Sequence, residues 1–146
     1  MTTTTAQTTQ VYQVFIKATP EAIWEAITEP EFTARYFYGS RIQLDDGYRS
    51  VDAEGRELVA GELIEIEPPQ RLVHGWRSLY DESTASEPES RVTWEIEKRD
   101  GGVSLLTVTH DRLEGSPHTA AGVSGGWMYV LSGLKTLLET GEPLGG

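Results

Sequence analysis

The sequence predicts an α+β fold: a curved antiparallel sheet wrapped around a long C-terminal helix, with two short helices after the first strand. Three observations predict it. From His118 to Thr140, the apolar residues Val123, Trp127, Val130, Leu131, Leu134, Leu137 and Leu138 recur at spacings of three and four, the signature of one wide helical stripe. From Gly39 onward the pattern changes to alternation broken by short turns, which implies sequential antiparallel strands. Only the last helix is long enough to cover the apolar face that such a sheet presents. Each large side chain on its stripe contributes roughly 1.5–3 kcal/mol when buried.

Taken in order, residues 1–10 form a threonine-rich flexible tail, 11–141 a single domain, and 142–146 a short tail. Val11 to Lys17 is β-branched and aromatic, a strand by composition. Thr19-Pro20-Glu21 then opens a helix, with Thr19 as N-cap and Pro20 at the first helical position. Glu29-Pro30-Glu31 restarts it as a second short helix to about Tyr36. Arg41–Leu44 and Tyr48–Val51 flank the hairpin signal Asp45-Asp46-Gly47. One longer strand is expected from Glu57 to Ile66, ended by Pro68-Pro69, and another from Arg71 to Ser78. The acidic, proline-containing segment Tyr80–Glu89 reads as a mobile loop. Arg91–Lys98 and Val103–His110 are the last two strands, joined through Asp100-Gly101-Gly102. Gly141 stops the final helix where glycine tolerates a left-handed turn.

Composition removes several function classes. With no cysteine, disulfides, thiol catalysis and cysteine-ligated metal are excluded. The formal charge of −11, from 23 acidic and 12 basic residues, argues against nucleic acid and anionic membrane as partners, because both need a basic face. No apolar run approaches the ~20 residues of a membrane span. The opening MTTTTAQTTQ lacks the basic start and apolar segment of a signal peptide, which predicts a cytoplasmic protein.

Alternation also assigns side chains to the hollow between sheet and helix. Leu72, His74 and Trp76 share one face of their strand, and Leu106, Val108 and His110 share one face of theirs. Trp94 joins them from the strand Arg91–Lys98, Trp127 and Leu131 from the helix, and Phe37 follows the short helices, where with Tyr38 it is expected to close one end. Leaving Tyr38 aside, eight residues (Phe37, His74, Trp76, Trp94, Val108, His110, Trp127 and Leu131) are the candidate ligand-binding set. Either they are plain core or they line an aromatic pocket. His74 and His110 are polar groups on an apolar face: ligand handles, a general base, or core histidines satisfied by a neighbour. His118 starts the last helix and is expected in solvent. No catalytic residue, metal site or cofactor is assigned. His110 and Asp111 are adjacent on a strand and point to opposite faces, and no Gly-x-Ser-x-Gly elbow accompanies the serines. Gly125-Gly126 lacks the preceding strand of a phosphate loop and is read as allowing close packing or leaving space beside Trp127.

The stretches ATPEAIWEAITEPE, ARYFYG, GELIEIEPPQRLVHGW, SRVTWEIE, LTVTHDRL and GGWMYVLSGLKTLLETG occur in this order from Ala18 to Gly141. In that ordered set the chain resembles the START-like (SRPBCC) superfamily, and within it the activator of heat-shock-protein-90 ATPase homologue family. The resemblance implies a helix-grip (START/Bet v 1-like) fold with a cavity between sheet and helix. It also implies a choice among functions, since the superfamily holds hydrophobe carriers, hormone binders, cyclases and a chaperone co-activator domain. No catalytic residue set carries over position by position. Three readings stand: a binding protein for a small apolar or aromatic molecule, an enzyme in which a cavity histidine moves a proton, and a domain that binds a protein partner such as a chaperone.

Overall fold

A computed structural model describes residues 8–144. Residues 1–7 of the expected N-terminal tail, and 145–146 of the C-terminal one, lie outside the described residues. In chain order the elements are β1 (Gln10–Ile16), α1 (Pro20–Thr28), α2 (Pro30–Thr33), β2 (Arg41–Gln43), β3 (Tyr48–Val51), β4 (Glu57–Gly61), β5 (Leu63–Glu67), β6 (Arg71–Ser78), α3 (Glu82–Ala85), β7 (Ser90–Lys98), β8 (Ser104–Asp111) and α4 (Pro117–Thr140). The strands form one antiparallel sheet in the order β1-β8-β7-β6-β4-β3-β2, with β5 also paired to β6. The expected meander is present, and β1 closes on its last strand.

Local chemistry explains the boundaries. The Thr19 hydroxyl accepts from the Ala22 amide at 3.1 Å and caps α1, and Gly141 ends α4 at φ 82°. β1 starts one residue before the expected Val11, because Gln10 is buried and its side-chain amide donates to the Ala120 carbonyl of α4 at 2.9 Å. On α4 the stripe Val123, Trp127, Val130, Leu131, Leu134 and Leu137 is buried against Leu72, Val92, Trp94, Leu106 and Val108 of β6, β7 and β8.

Two expectations are corrected. The single strand Glu57–Ile66 is two, β4 and β5, interrupted at Glu62. Both halves pair with β6, and β5 resumes in the register that β4 leaves, Ala60 facing Arg77 and Leu63 facing His74. The backbones pinch together in between. A Cβ on Gly61 would lie 1.9 Å from the Gly75 carbonyl oxygen, so only glycine fits there.

The segment Tyr80–Glu89 is not a featureless loop. It holds one helical turn, α3, capped by the Asp81 carboxylate on the Ser83 amide at 3.0 Å. Thr84 then donates to the Ser78 carbonyl at 3.0 Å. Glu87 is buried, and its carboxylate accepts from the amides of His118 and Thr119, the Thr119 hydroxyl and the His118 ring, at 2.7–3.0 Å. Burial pushes this carboxyl up, but the hydrogen bonds from Thr119 and His118 together outweigh it and hold it below the usual range. A carboxylate 30 residues upstream of α4 thus satisfies amides that α4 cannot satisfy itself.

Candidate functional site

An open cavity of about 460 Å³ lies between the first half of α4 and the β3–β4–β6 part of the sheet. Ser50 of β3, Leu58 and Val59 of β4 and Trp76 of β6 form one wall, with Val59 paired to Ser50 on one side and to Ser78 on the other. Gly122, Val123, Gly126, Trp127 and Val130 of α4 form the opposite wall. Phe37, Tyr38 and Ser40, from the connection between α2 and β2, close one end, and Tyr80 stands beside the opening.

The rings are mutually packed. Phe37 lies 6.4 Å from Trp76 and 5.9 Å from Trp127, centroid to centroid, and the two indoles are 5.5 Å apart. Such offset and edge contacts hold each ring from several sides, so the apolar surface is fixed in place. At the rim Tyr38, with φ 55° and 63% of its surface exposed, stacks on Tyr129 of α4 at 5.4 Å.

Of the eight residues picked from the sequence, Phe37, Trp76 and Trp127 line this cavity. Trp94, Val108 and Leu131 are buried in the core around it, Trp94 meeting Trp127 edge-on at 5.4 Å. His74 and His110 are fully buried behind the aromatic wall and have both ring nitrogens engaged. The Trp94 indole donates to His74 Nε2 at 2.9 Å, and His74 Nδ1 donates to the Gly75 carbonyl at 2.8 Å. The Trp127 indole donates to His110 Nδ1 at 3.0 Å, His110 Nε2 donates to the Ser90 hydroxyl at 2.7 Å, and that hydroxyl donates to the Trp76 carbonyl at 3.1 Å. Each indole donor fixes the tautomer of its imidazole. Burial pushes His74 down to about 3 and His110 down to about 4, so both stay neutral. Asp111, next to His110, faces the other way and pairs with Arg91. A histidine moving a proton in the cavity has no free ring nitrogen to use here.

Sequence reasoning missed the serines and Tyr80, whereas Tyr38 closes one end together with Phe37 as expected. Alternation along Tyr48-Arg49-Ser50 would have placed Ser50 on the inner face with Tyr48, had polar residues been followed as closely as aromatic ones. The position of Tyr38 after the short helices gives its place at the end of the hollow, but not its stacking on Tyr129. That contact follows from a left-handed backbone that tyrosine seldom adopts. His118 is largely exposed as expected, but paired with Glu87.

Residues 17–139 match the family described as "Activator of Hsp90 ATPase homolog 1-like protein". The chain belongs to this family. None of the curated proteins matches it. Among solved structures it is similar to DynU16, from the dynemicin biosynthetic locus, at 24% identity and TM-score 0.75, covering 94% of this chain and 49% of that one. CalU16 from Micromonospora echinospora is similar at 22% identity and TM-score 0.68, covering 91% of this chain and 77% of the other. An HSP90 activator from Plasmodium falciparum gives 21% identity and TM-score 0.68, covering 91% of this chain and 97% of the other. The chain therefore spans about half of DynU16 and nearly all of the Plasmodium protein. These likenesses fix the helix-grip architecture: an open antiparallel sheet with the long C-terminal helix across it.

Proposed function

We propose that this protein binds a small apolar or aromatic molecule in the cavity between α4 and the sheet. The observation that carries the reading is the cavity itself, about 460 Å³, with five aromatic side chains and no charged one among the lining residues. Volume and lining fit the usual pattern of a small-molecule site, apolar with a few placed polar groups. The α4 glycines support it too. Gly122 and Gly126 sit inside a helix, where each costs about 0.5–1 kcal/mol relative to alanine. A Cβ at Gly122 would meet nothing within 4 Å, and one at Gly126 only the Tyr38 hydroxyl at 3.8 Å. Neither position needs glycine for packing, and both border open space. A cytoplasmic location belongs to the same proposal.

The test fills the space. Gly122→Leu/Gly126→Leu should leave the fold intact, judged by circular dichroism, and abolish the saturable tryptophan-fluorescence change that apolar aromatic compounds cause in the wild type. A wild type that gives no saturable response across such a panel sinks the reading.

Family membership favours a second reading, a chaperone partner, supported by the likeness to the Plasmodium HSP90 activator. It predicts a complex with Hsp90 that survives the cavity-filling change and is lost when the Tyr80–Glu89 segment is replaced. Co-purification of each variant with the chaperone separates the two readings.

A further inference from the structure

The cavity's polar groups narrow its ligand. No charged residue lines it, so a charged guest would be stripped of water without a partner, at a cost of several kcal/mol. The Tyr38 and Tyr80 hydroxyls belong to exposed rings at the mouth, where water serves them. Deeper, two serines remain, each 3% exposed. Ser40 donates its proton to the Phe37 carbonyl at 2.7 Å, and offers the cavity only acceptor lone pairs. Ser50 differs. It stands between Ile42 of β2 and Val59 of β4 in register. Its hydroxyl makes no hydrogen bond to a described residue but opens onto the cavity, unlike the Tyr48 hydroxyl, which is buried and has no partner among those residues. Its proton is free to be donated into the cavity, and a ligand atom that accepts it there gains the net worth of one hydrogen bond.

We propose that the cavity selects an uncharged aromatic molecule carrying a hydroxyl or carbonyl group, and that Ser50 is the residue that receives that group. This rests on the ligand-binding reading above and adds the ligand's class and the side chain that discriminates it. The aromatic character follows from the lining, where the rings of Phe37, Trp76 and Trp127 offer faces and edges to a guest ring. The oxygen follows from Ser50, whose proton needs an acceptor. A hydroxyl on the ligand can also donate to the lone pairs of Ser40, whereas a carbonyl uses Ser50 alone.

Three probes of one ring size test this by equilibrium dialysis: naphthalene, 2-naphthol and 2-naphthoate. In the wild type, 2-naphthol should bind about three- to tenfold tighter than naphthalene, the range one net hydrogen bond supplies. 2-Naphthoate should show no saturable binding. In Ser50→Ala the naphthol affinity should fall to the naphthalene level, with naphthalene itself unchanged. Should that variant fail to fold, Ser50→Cys keeps the volume with a weaker donor and should shrink the same ratio. Equal affinities in the wild type, a naphthol preference that survives loss of the Ser50 hydroxyl, or saturable naphthoate binding overturns the inference and leaves the ligand-binding reading standing. No saturable binding of any probe overturns both.

Discussion

Tyr48 shows how single residues are settled by their surroundings. Its ring is fully buried and stacks flat on the His74 imidazole, with centroids 3.5 Å apart and planes 4° from parallel. The hydroxyl has no hydrogen-bond partner among the described residues, and burial pushes its pKa up, so it stays protonated. An unpartnered buried hydroxyl costs about 1–3 kcal/mol, whereas the ring alone keeps the stacking contact. Tyr48→Phe should therefore raise unfolding stability by about 1 kcal/mol in urea titration. A loss of stability would mean that the hydroxyl has a role the geometry does not reveal. The contrast with His74 is instructive. Both look like polar anomalies on an apolar face, yet His74 has a donor and an acceptor in place and the tyrosine hydroxyl has neither.

At the scale of elements, α4 depends on chain that is far from it in sequence. Its first turn has no side-chain cap of its own at Ser116, and Glu87 supplies one from the β6–β7 connection. Removing that carboxylate leaves helix amides unpaired and frees the α3 turn from the helix it braces. Glu87→Ala should cost about 1–2 kcal/mol, with hydrogen exchange accelerating first at His118 and Thr119. Unchanged protection there would show that the N-terminus of α4 is held by packing alone. The sheet has an equivalent dependency at the Gly61–Gly75 approach, where β6 serves both β4 and β5.

For the whole molecule, two buried histidines, one joining sheet to helix and one joining two strands, make stability depend on pH. His110 on β8 takes the indole proton of Trp127 on α4, and His74 on β6 takes that of Trp94 on β7. Protonating either acceptor nitrogen sets two N–H groups against each other in a buried site. Both folded-state values, about 3 and about 4, lie below the ordinary 6.5. Their contribution is thus fully present above about pH 6.5 and is lost as pH falls toward the folded values, because the unfolded chain takes up the protons first. Between pH 7 and pH 5 the loss should be about 2 kcal/mol for each histidine, read as a falling urea midpoint. A flat midpoint over that interval would show that the imidazoles are less buried, or better able to accept a proton, than their partners indicate. The chaperone and ligand readings also belong to this scale, since each concerns a surface that exists only once sheet and helix are assembled.

Apart from the split of β4 from β5 and the turn α3, the sequence by itself determined the order of the elements, the antiparallel meander, the α4 stripe and its Gly141 stop, and the inward direction of Phe37, Trp76 and Trp127. These are local matters of periodicity, capping and turn chemistry, and they survive without knowledge of what packs on what. It also placed His74 and His110 on the inner face correctly. What it left open was whether they meet a ligand or a neighbour, and only tertiary structure decided that by bringing the indoles of Trp94 and Trp127 to them. The pinch at Gly61, the cap from Glu87 and the cavity beside Ser50 were likewise beyond periodicity. Each depends on two segments far apart in sequence, and the distance between such segments is fixed by the packing of the whole chain.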